Sequence, residues 1–147
     1  SCSPLANHAV YIWQCDRAAD YSMYTGSAVS ENYLRGVQET DADGKVTFVS
    51  IFPACYSGRW PHIHFEVYPS LAATDSAGNK LATSQLALPG AACEAVYATA
   101  GYEPSVPALA KLTLATDSVF KDGFDQQLAD ISGSVDAGYT ATLTVTV

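Results

Sequence analysis

Two histidines, His62 and His64, stand one residue apart in the stretch 51–67, IFPACYSGRWPHIHFEV. Ile63, Phe65 and Val67, interleaved with them, are apolar and β-prone, so the segment reads as a strand. Alternation along a strand turns both imidazoles to one face, where two neutral rings can share a metal ion. The turn just upstream carries Tyr56 and Arg59 among Ser57, Gly58 and Pro61. A phenol, a guanidinium and two imidazoles therefore gather at the mouth of one strand. The same H-x-H also reads as the polar face of an exposed strand, with Tyr56 as ordinary packing.

The phenol narrows the choice of ion. A free phenol loses its proton only near pH ~10, so at neutral pH it is a poor anionic ligand. A highly charged cation beside it stabilises the phenolate. Phenolate is a hard oxygen donor, so a tyrosine-rich set favours Fe(III) over Zn(II), which takes Cys, His or carboxylate.

The elements that must position these groups are short strands. Residues 9–14 (AVYIWQ), 33–38, 46–52, 81–88 and 139–147 read as strands. The first is apolar on both faces, as a strand between two layers would be. The last alternates threonines with apolar residues, as a half-buried antiparallel strand would. Asp43-Gly44 marks a turn at 40–45. Segment 15–30 is irregular and holds Tyr21 and Tyr24. Segment 91–100 has room for one or two helical turns, 101–107 is a loop with two prolines, and 111–115, 118–120 and 127–132 are short strand-like pieces. The fold class expected is all-β, a β-sandwich of mostly antiparallel short strands with long loops and little helix. A single domain spans 1–147. Its first strand has no hairpin partner before it, so a lead-in strand is expected to be missing from the N-terminal side.

Composition removes whole classes of function. The chain has 147 residues, 48% of them hydrophobic, which is enough for a core. Its net charge is −8, with seven Lys and Arg, which argues against nucleic-acid or anionic-membrane partners. No apolar run approaches the roughly 18–20 residues of a membrane span. Cys2, Cys15, Cys55 and Cys93 form no C-x-x-C pair, which speaks against structural zinc. Their even number, with few lysines, suits a secreted chain with two disulfides. The preferred bridge joins Cys55 to Cys15 or Cys93, and four free buried thiols are the alternative.

Three stretches resemble the intradiol ring-cleavage dioxygenases, non-haem Fe(III) enzymes of catechols. They are Val10-Tyr11-Ile12-Trp13-Gln14-Cys15-Asp16 leading to Asp20-Tyr21-Ser22; Tyr33-Leu34-Arg35-Gly36-Val37-Gln38 with Thr40-Asp41-Ala42-Asp43-Gly44; and Phe52-Pro53-Ala54-Cys55-Tyr56-Ser57-Gly58-Arg59 followed by Pro61-His62-Ile63-His64-Phe65. The likeness covers about residues 4–68 and is nearest to small exported members of the family. It implies Tyr21, Tyr56, His62 and His64 as iron ligands, with Tyr56 and His64 as the axial pair. Arg59 would sit against the substrate ring, and Tyr56 would leave the metal as substrate binds. Tyr24 is the competitor of Tyr21 and is read as packing. The partners implied are a small aromatic diol and O2, cleaved to a cis,cis-muconate-type product. The spacing from Tyr56 to His62 is short for the family and shortens a loop beside the substrate.

Other residues read plainly. His8 is a solvated histidine in a turn, Trp13 is core, and Asp41, Asp43 and Gly44 form a turn rather than a calcium loop. Ser57-Gly58 is not a nucleophile elbow. Two rival readings remain: a non-catalytic β-sandwich binding module, and an enzyme using the same ligands with another metal.

Overall fold

A computed structural model describes residues 3–147. Its central sheet has four antiparallel strands, β1 (Ala9–Trp13), β2 (Arg35–Glu39), β3 (His62–Tyr68) and β4 (Ala82–Ala87), in the order β2-β1-β3-β4. A hairpin, β5 (Asp130–Ser134) with β6 (Gly138–Thr142), forms the second sheet. Helix α1 (Gly90–Tyr97) and the short α2 (Ser105–Leu109) are the α-helical segments among the described residues. This is the all-β, mostly antiparallel architecture expected, with little helix. No helix is long and apolar enough to cross a membrane.

Register decides what the sheet presents. Trp13 lies opposite Arg35 on one side and His64 on the other, and His64 lies opposite Gln85. Directly paired residues project to the same face, so one rung reads Arg35, Trp13, His64, Gln85 across all four strands. The opposite face of β3 carries Phe65, which lines a surface groove with Ser84, Gln127 and Val145.

The second layer closes over Cys55 and β4. Cys93, Val96 and Tyr97 of α1 pack with Cys55 and Leu88, and Phe52, Ile131 and Tyr139 join them. Two tyrosine hydroxyls tie the irregular chain before Tyr56 to this layer: Tyr97 donates to the Pro53 carbonyl at 2.9 Å and Tyr102 to the Phe52 carbonyl at 2.7 Å.

Several expectations need correction. Segment 46–52 joins no ladder. The carbonyls of Ile51, Phe52 and Pro53 accept from the side chains of Gln14, Tyr102 and Tyr97 instead of from a neighbouring strand. The pieces at 111–115 and 118–120 are turns, the first built on a reciprocal Thr113–Thr116 cap around the 3-10 turn Leu114–Thr116. Helix α2 falls where a loop was expected, and β6 stops at Thr142.

The disulfide expectation also fails for the described cysteines. Cys15, Cys55 and Cys93 are free and buried, so Cys55 is bridged to neither candidate; Cys2 lies outside the described residues. The thiols point to separate backbone carbonyls, Cys15 to Ala54 at 3.5 Å, Cys55 to Arg59 at 3.6 Å and Cys93 to Leu88 at 3.8 Å. They serve as small apolar core groups.

Candidate metal centre

Tyr21 stands on the loop that follows β1. Asp16 opens this loop with its carboxylate accepting the Ala18 and Asp20 amides at 2.8 and 3.0 Å. Ala19 and Met23 take positive φ values of 70° and 67° around the tyrosine, and the Tyr21 amide donates to Thr25 Oγ1 at 2.8 Å. Arg35 clamps the next residue: its Nε donates to Ser22 Oγ at 3.0 Å and its Nη2 to the Ser22 carbonyl at 2.7 Å. Its Nη1 donates to Tyr11 Oη at 2.9 Å, and its guanidinium lies 4.6 Å over the ring of Tyr24. The two tyrosines differ in placement: Tyr21 is 9% exposed, with its hydroxyl beside His62 and His64, while Tyr24 is 64% exposed beneath Arg35.

Tyr56 comes from the turn before β3. The Arg59 amide donates to the Tyr56 carbonyl at 3.2 Å, and the turn passes through Gly58 at φ 84°, a conformation that glycine adopts without a Cβ penalty. His62 and His64 project together from β3, as alternation requires. His62 Nδ1 lies 2.5 Å from the Trp60 carbonyl. A carbonyl can only accept, so Nδ1 carries the proton and Nε2 presents its lone pair.

Four polar atoms then meet. Tyr21 Oη lies 3.3 Å from Tyr56 Oη, 3.2 Å from His62 Nε2 and 3.1 Å from His64 Nε2. Tyr56 Oη is 3.3 Å from His62 Nε2, and the two imidazole Nε2 atoms are 3.0 Å apart. Five of the six pairs are in contact, and the sixth, Tyr56 with His64, is not. Ligand bonds of about 2 Å would place neighbouring donors about 3 Å apart, the spacing these atoms show.

The protonation of the four groups fits a cation. Burial first, and then the charge of Arg59, lowers His62 to about 4. Burial first, then His62, Arg59 and Arg35, lowers His64 to about 3. Burial raises both phenols above their ordinary value, Tyr21 the more strongly. Without an ion all four are neutral, and the single Tyr21 proton cannot serve three neighbours at once. Converging lone pairs from two imidazoles and two phenols suit a hard, highly charged cation. No three His, Cys, Asp or Glu cluster among the described residues, so the phenols are essential to any such centre.

Two surrounding groups escaped sequence reasoning. Trp13 is half-buried against the cluster of Cys15, Tyr21 and Ala54 and has a second contact: its ring lies flat on the His64 imidazole, 4.5 Å between centroids and 6° between planes, with Tyr11 stacked behind it at 5.4 Å. The alternation of β1 did place Tyr11 and Trp13 on one face, but only the register with β3 says what they cover. Asp117 is the other. Its Oδ2 accepts from Arg59 Nε at 3.0 Å, while Arg59 Nη2 donates to Gln85 Oε1. Nothing in the sequence around Asp117 signals this. His8, by contrast, stays in its turn with Nδ1 at 2.9 Å from the Ala6 carbonyl, and Asp41 caps the 41–45 turn by accepting from the Asp43 and Lys45 amides.

No family model matches the chain. Catechol 1,2-dioxygenase 2 of Acinetobacter lwoffii is 39% identical over 54 residues, 37% of this chain but only 19% of that protein's length. An intradiol ring-cleavage dioxygenase from Tetranychus urticae superposes with a TM-score of 0.80 at 24% identity, covering 97% of this chain and 72% of that one. A second dioxygenase crystal structure gives 0.72 at 25% identity, over 90% and 66% of the two chains. In fold the chain is similar to the intradiol ring-cleavage dioxygenases. A further likeness, the dioxygenase domain of a dioxygenase and carbohydrate-binding fusion from Streptomyces sp. SirexAA-E, gives a TM-score of 0.60 at 27% identity, over 97% of this chain and 69% of that one.

Proposed function

We propose that the protein is an Fe(III)-dependent intradiol dioxygenase that cleaves a catechol-type ring between its two hydroxylated carbons. The observation that carries this reading is the convergence of Tyr21, Tyr56, His62 and His64 on one point, with Arg59 held nearby. These four residues hold the iron, and the curated relative named as a catechol 1,2-dioxygenase supports the substrate class. When bound, Fe(III) supplies Lewis acidity toward the diol oxygens and withdraws electron density from the ring, which readies it for O2.

The residues of the chain do the rest. Tyr56 is the more exposed of the two phenols, and its oxygen takes a proton from a catechol hydroxyl as substrate enters. Arg59 stabilises the negative charge that develops on the ring. Trp13 covers one face of His64 and keeps water from it. Both atoms of O2 enter the product, a cis,cis-muconate type of dicarboxylic acid, as the carbon–carbon bond between the hydroxylated carbons breaks.

The ring is uncharged apart from its diol. Arg35, the other cation whose charge bears on His64, spends its Nε and both terminal nitrogens on Ser22 and Tyr11. Arg59 is engaged by Asp117 and Gln85 through Nε and Nη2, and its remaining Nη1 is given to the charge on the ring itself. A substrate carboxylate would therefore lack a cation of its own in a protein of net charge −8.

Oxygen uptake on catechol, 4-methylcatechol and protocatechuate, with iron analysis and product identification, tests the proposal. Bound iron, a red-brown iron–phenolate colour, muconate-type product and a preference for the first two are expected. Semialdehyde product would mean cleavage outside the diol and would contradict the ligand set. A colourless, iron-free protein that leaves catechol intact would identify a non-catalytic binding module.

A further inference from the structure

We propose that Asp117 is a positioning residue, which fixes the guanidinium of Arg59 against the substrate ring and the backbone of Trp60 behind His62. The role at the ring rests on the ring-cleavage reading. Asp117 is 0% exposed and lies 58 positions from Arg59, on a turn of the C-terminal half. Its two oxygens divide the work. Oδ1 accepts the amides of Val119 and Phe120 at 2.7 and 3.1 Å, which locks the carboxylate to its own turn. Oδ2, unable to rotate, accepts Arg59 Nε at 3.0 Å and the Trp60 amide at 2.7 Å.

This bonding reaches the centre by two routes. Through Nε it sets the plane of the Arg59 guanidinium. Gln85, opposite His64 on β4, takes the Nη2 end. Nη1 makes no hydrogen bond among the described residues, so it is left to face a ligand. Through the Trp60 amide the same oxygen holds the residue whose carbonyl meets His62 Nδ1. A carboxylate that served only as a turn cap would need Oδ1 alone, as asparagine or serine caps do. Burying a full charge is expensive unless it is paired, and the pair here is the guanidinium expected at the substrate.

Asp117→Asn separates the two roles. The amide oxygen can still cap Val119 and Phe120, but the amide nitrogen then faces two donors, Arg59 Nε and the Trp60 amide. With catechol as substrate and iron saturating, the variant is expected to lose roughly ten- to a hundred-fold in kcat, and through the Trp60 amide its iron affinity is expected to fall by a smaller factor. In an Arg59→Gln background the same change is expected to cost less than about two-fold in kcat of the iron-loaded enzyme, because the group it positions at the ring is gone. Equal losses of kcat in both backgrounds would overturn the role at the ring, and an unchanged iron affinity would overturn the role at Trp60.

A second readout needs no activity. In 15N spectra of the metal-free parent, the Arg59 Nε–H, identified by its absence from Arg59→Gln, is expected to be shifted from the free-arginine position and to exchange slowly with solvent. An Nε–H exchanging as fast as that of an exposed arginine would overturn the proposal. A parent protein inactive on every catechol would defeat the ring-cleavage reading and the role at the ring with it. The same spectrum would still decide whether Asp117 holds the guanidinium.

Discussion

At the scale of single residues the centre is an arrangement of neutral groups awaiting charge. Tyr21 touches three of its partners and sits in the interior, whereas Tyr24 lies outside beneath Arg35. Tyr21→Phe is accordingly expected to weaken Fe(III) binding at least about a hundred-fold, a loss exceeding that for groups that only hydrogen-bond a ligand, whereas Tyr24→Phe is expected to leave the iron in place. Titration followed by the visible band measures both. The imidazoles carry a pH dependence of the metal-free protein. His62 is held to about 4 and His64 to about 3 by burial first, against about 6.5 in the unfolded chain. Between those values the unfolded chain binds more protons, so stability present above about pH 6.5 is lost as the pH falls toward the folded values. Urea midpoints of metal-free protein at about pH 7 and about pH 5 check this, with the lower pH expected to be the less stable; equal midpoints would contradict the burial of the rings.

At the scale of elements, a single rung of the sheet organises the site. Arg35, Trp13, His64 and Gln85 lie side by side across four strands. Trp13→Ala would leave His64 without its stacking surface. It is expected to reduce iron affinity roughly ten-fold with little change in the Tyr21 loop, read by competition with a coloured chelator. The H-x-H strand and the tyrosine loop were legible in the sequence because both are local signals, a period of two and an irregular polar stretch. The rung was not, since it depends on which strands pair and in what register. Segment 46–52 misled for a related reason. Its apolar and β-branched residues have strand propensity, but its carbonyls at Ile51, Phe52 and Pro53 are taken by side chains of Gln14, Tyr102 and Tyr97. Asp117 was invisible because a buried carboxylate and a surface one look alike until the partner 58 positions away is known.

At the scale of the whole molecule, the C-terminal half is a support. Phe120 is 0% exposed and sits beside the Asp117 turn. Phe120→Ala is expected to cost about 3–5 kcal/mol by cavity formation, measured by urea denaturation. If the loss is confined to stability, the centre keeps its colour in the fraction that remains folded. If iron binds the folded chain alone, added Fe(III) is expected to raise the melting temperature with its concentration, and a chelator to reverse the rise.

The spread of the four donors along the chain has a kinetic consequence. Tyr56 and His62 are six positions apart and the histidines two, but Tyr21 lies 35 from Tyr56 and 43 from His64. A refolding chain can offer the near donors early, whereas the distant phenol arrives only once the long stretch from β1 through β2 to β3 has closed. If the chain is refolded with iron present, capture at the histidine strand is expected to precede full colour, which makes the spectrum a clock for the formation of native topology.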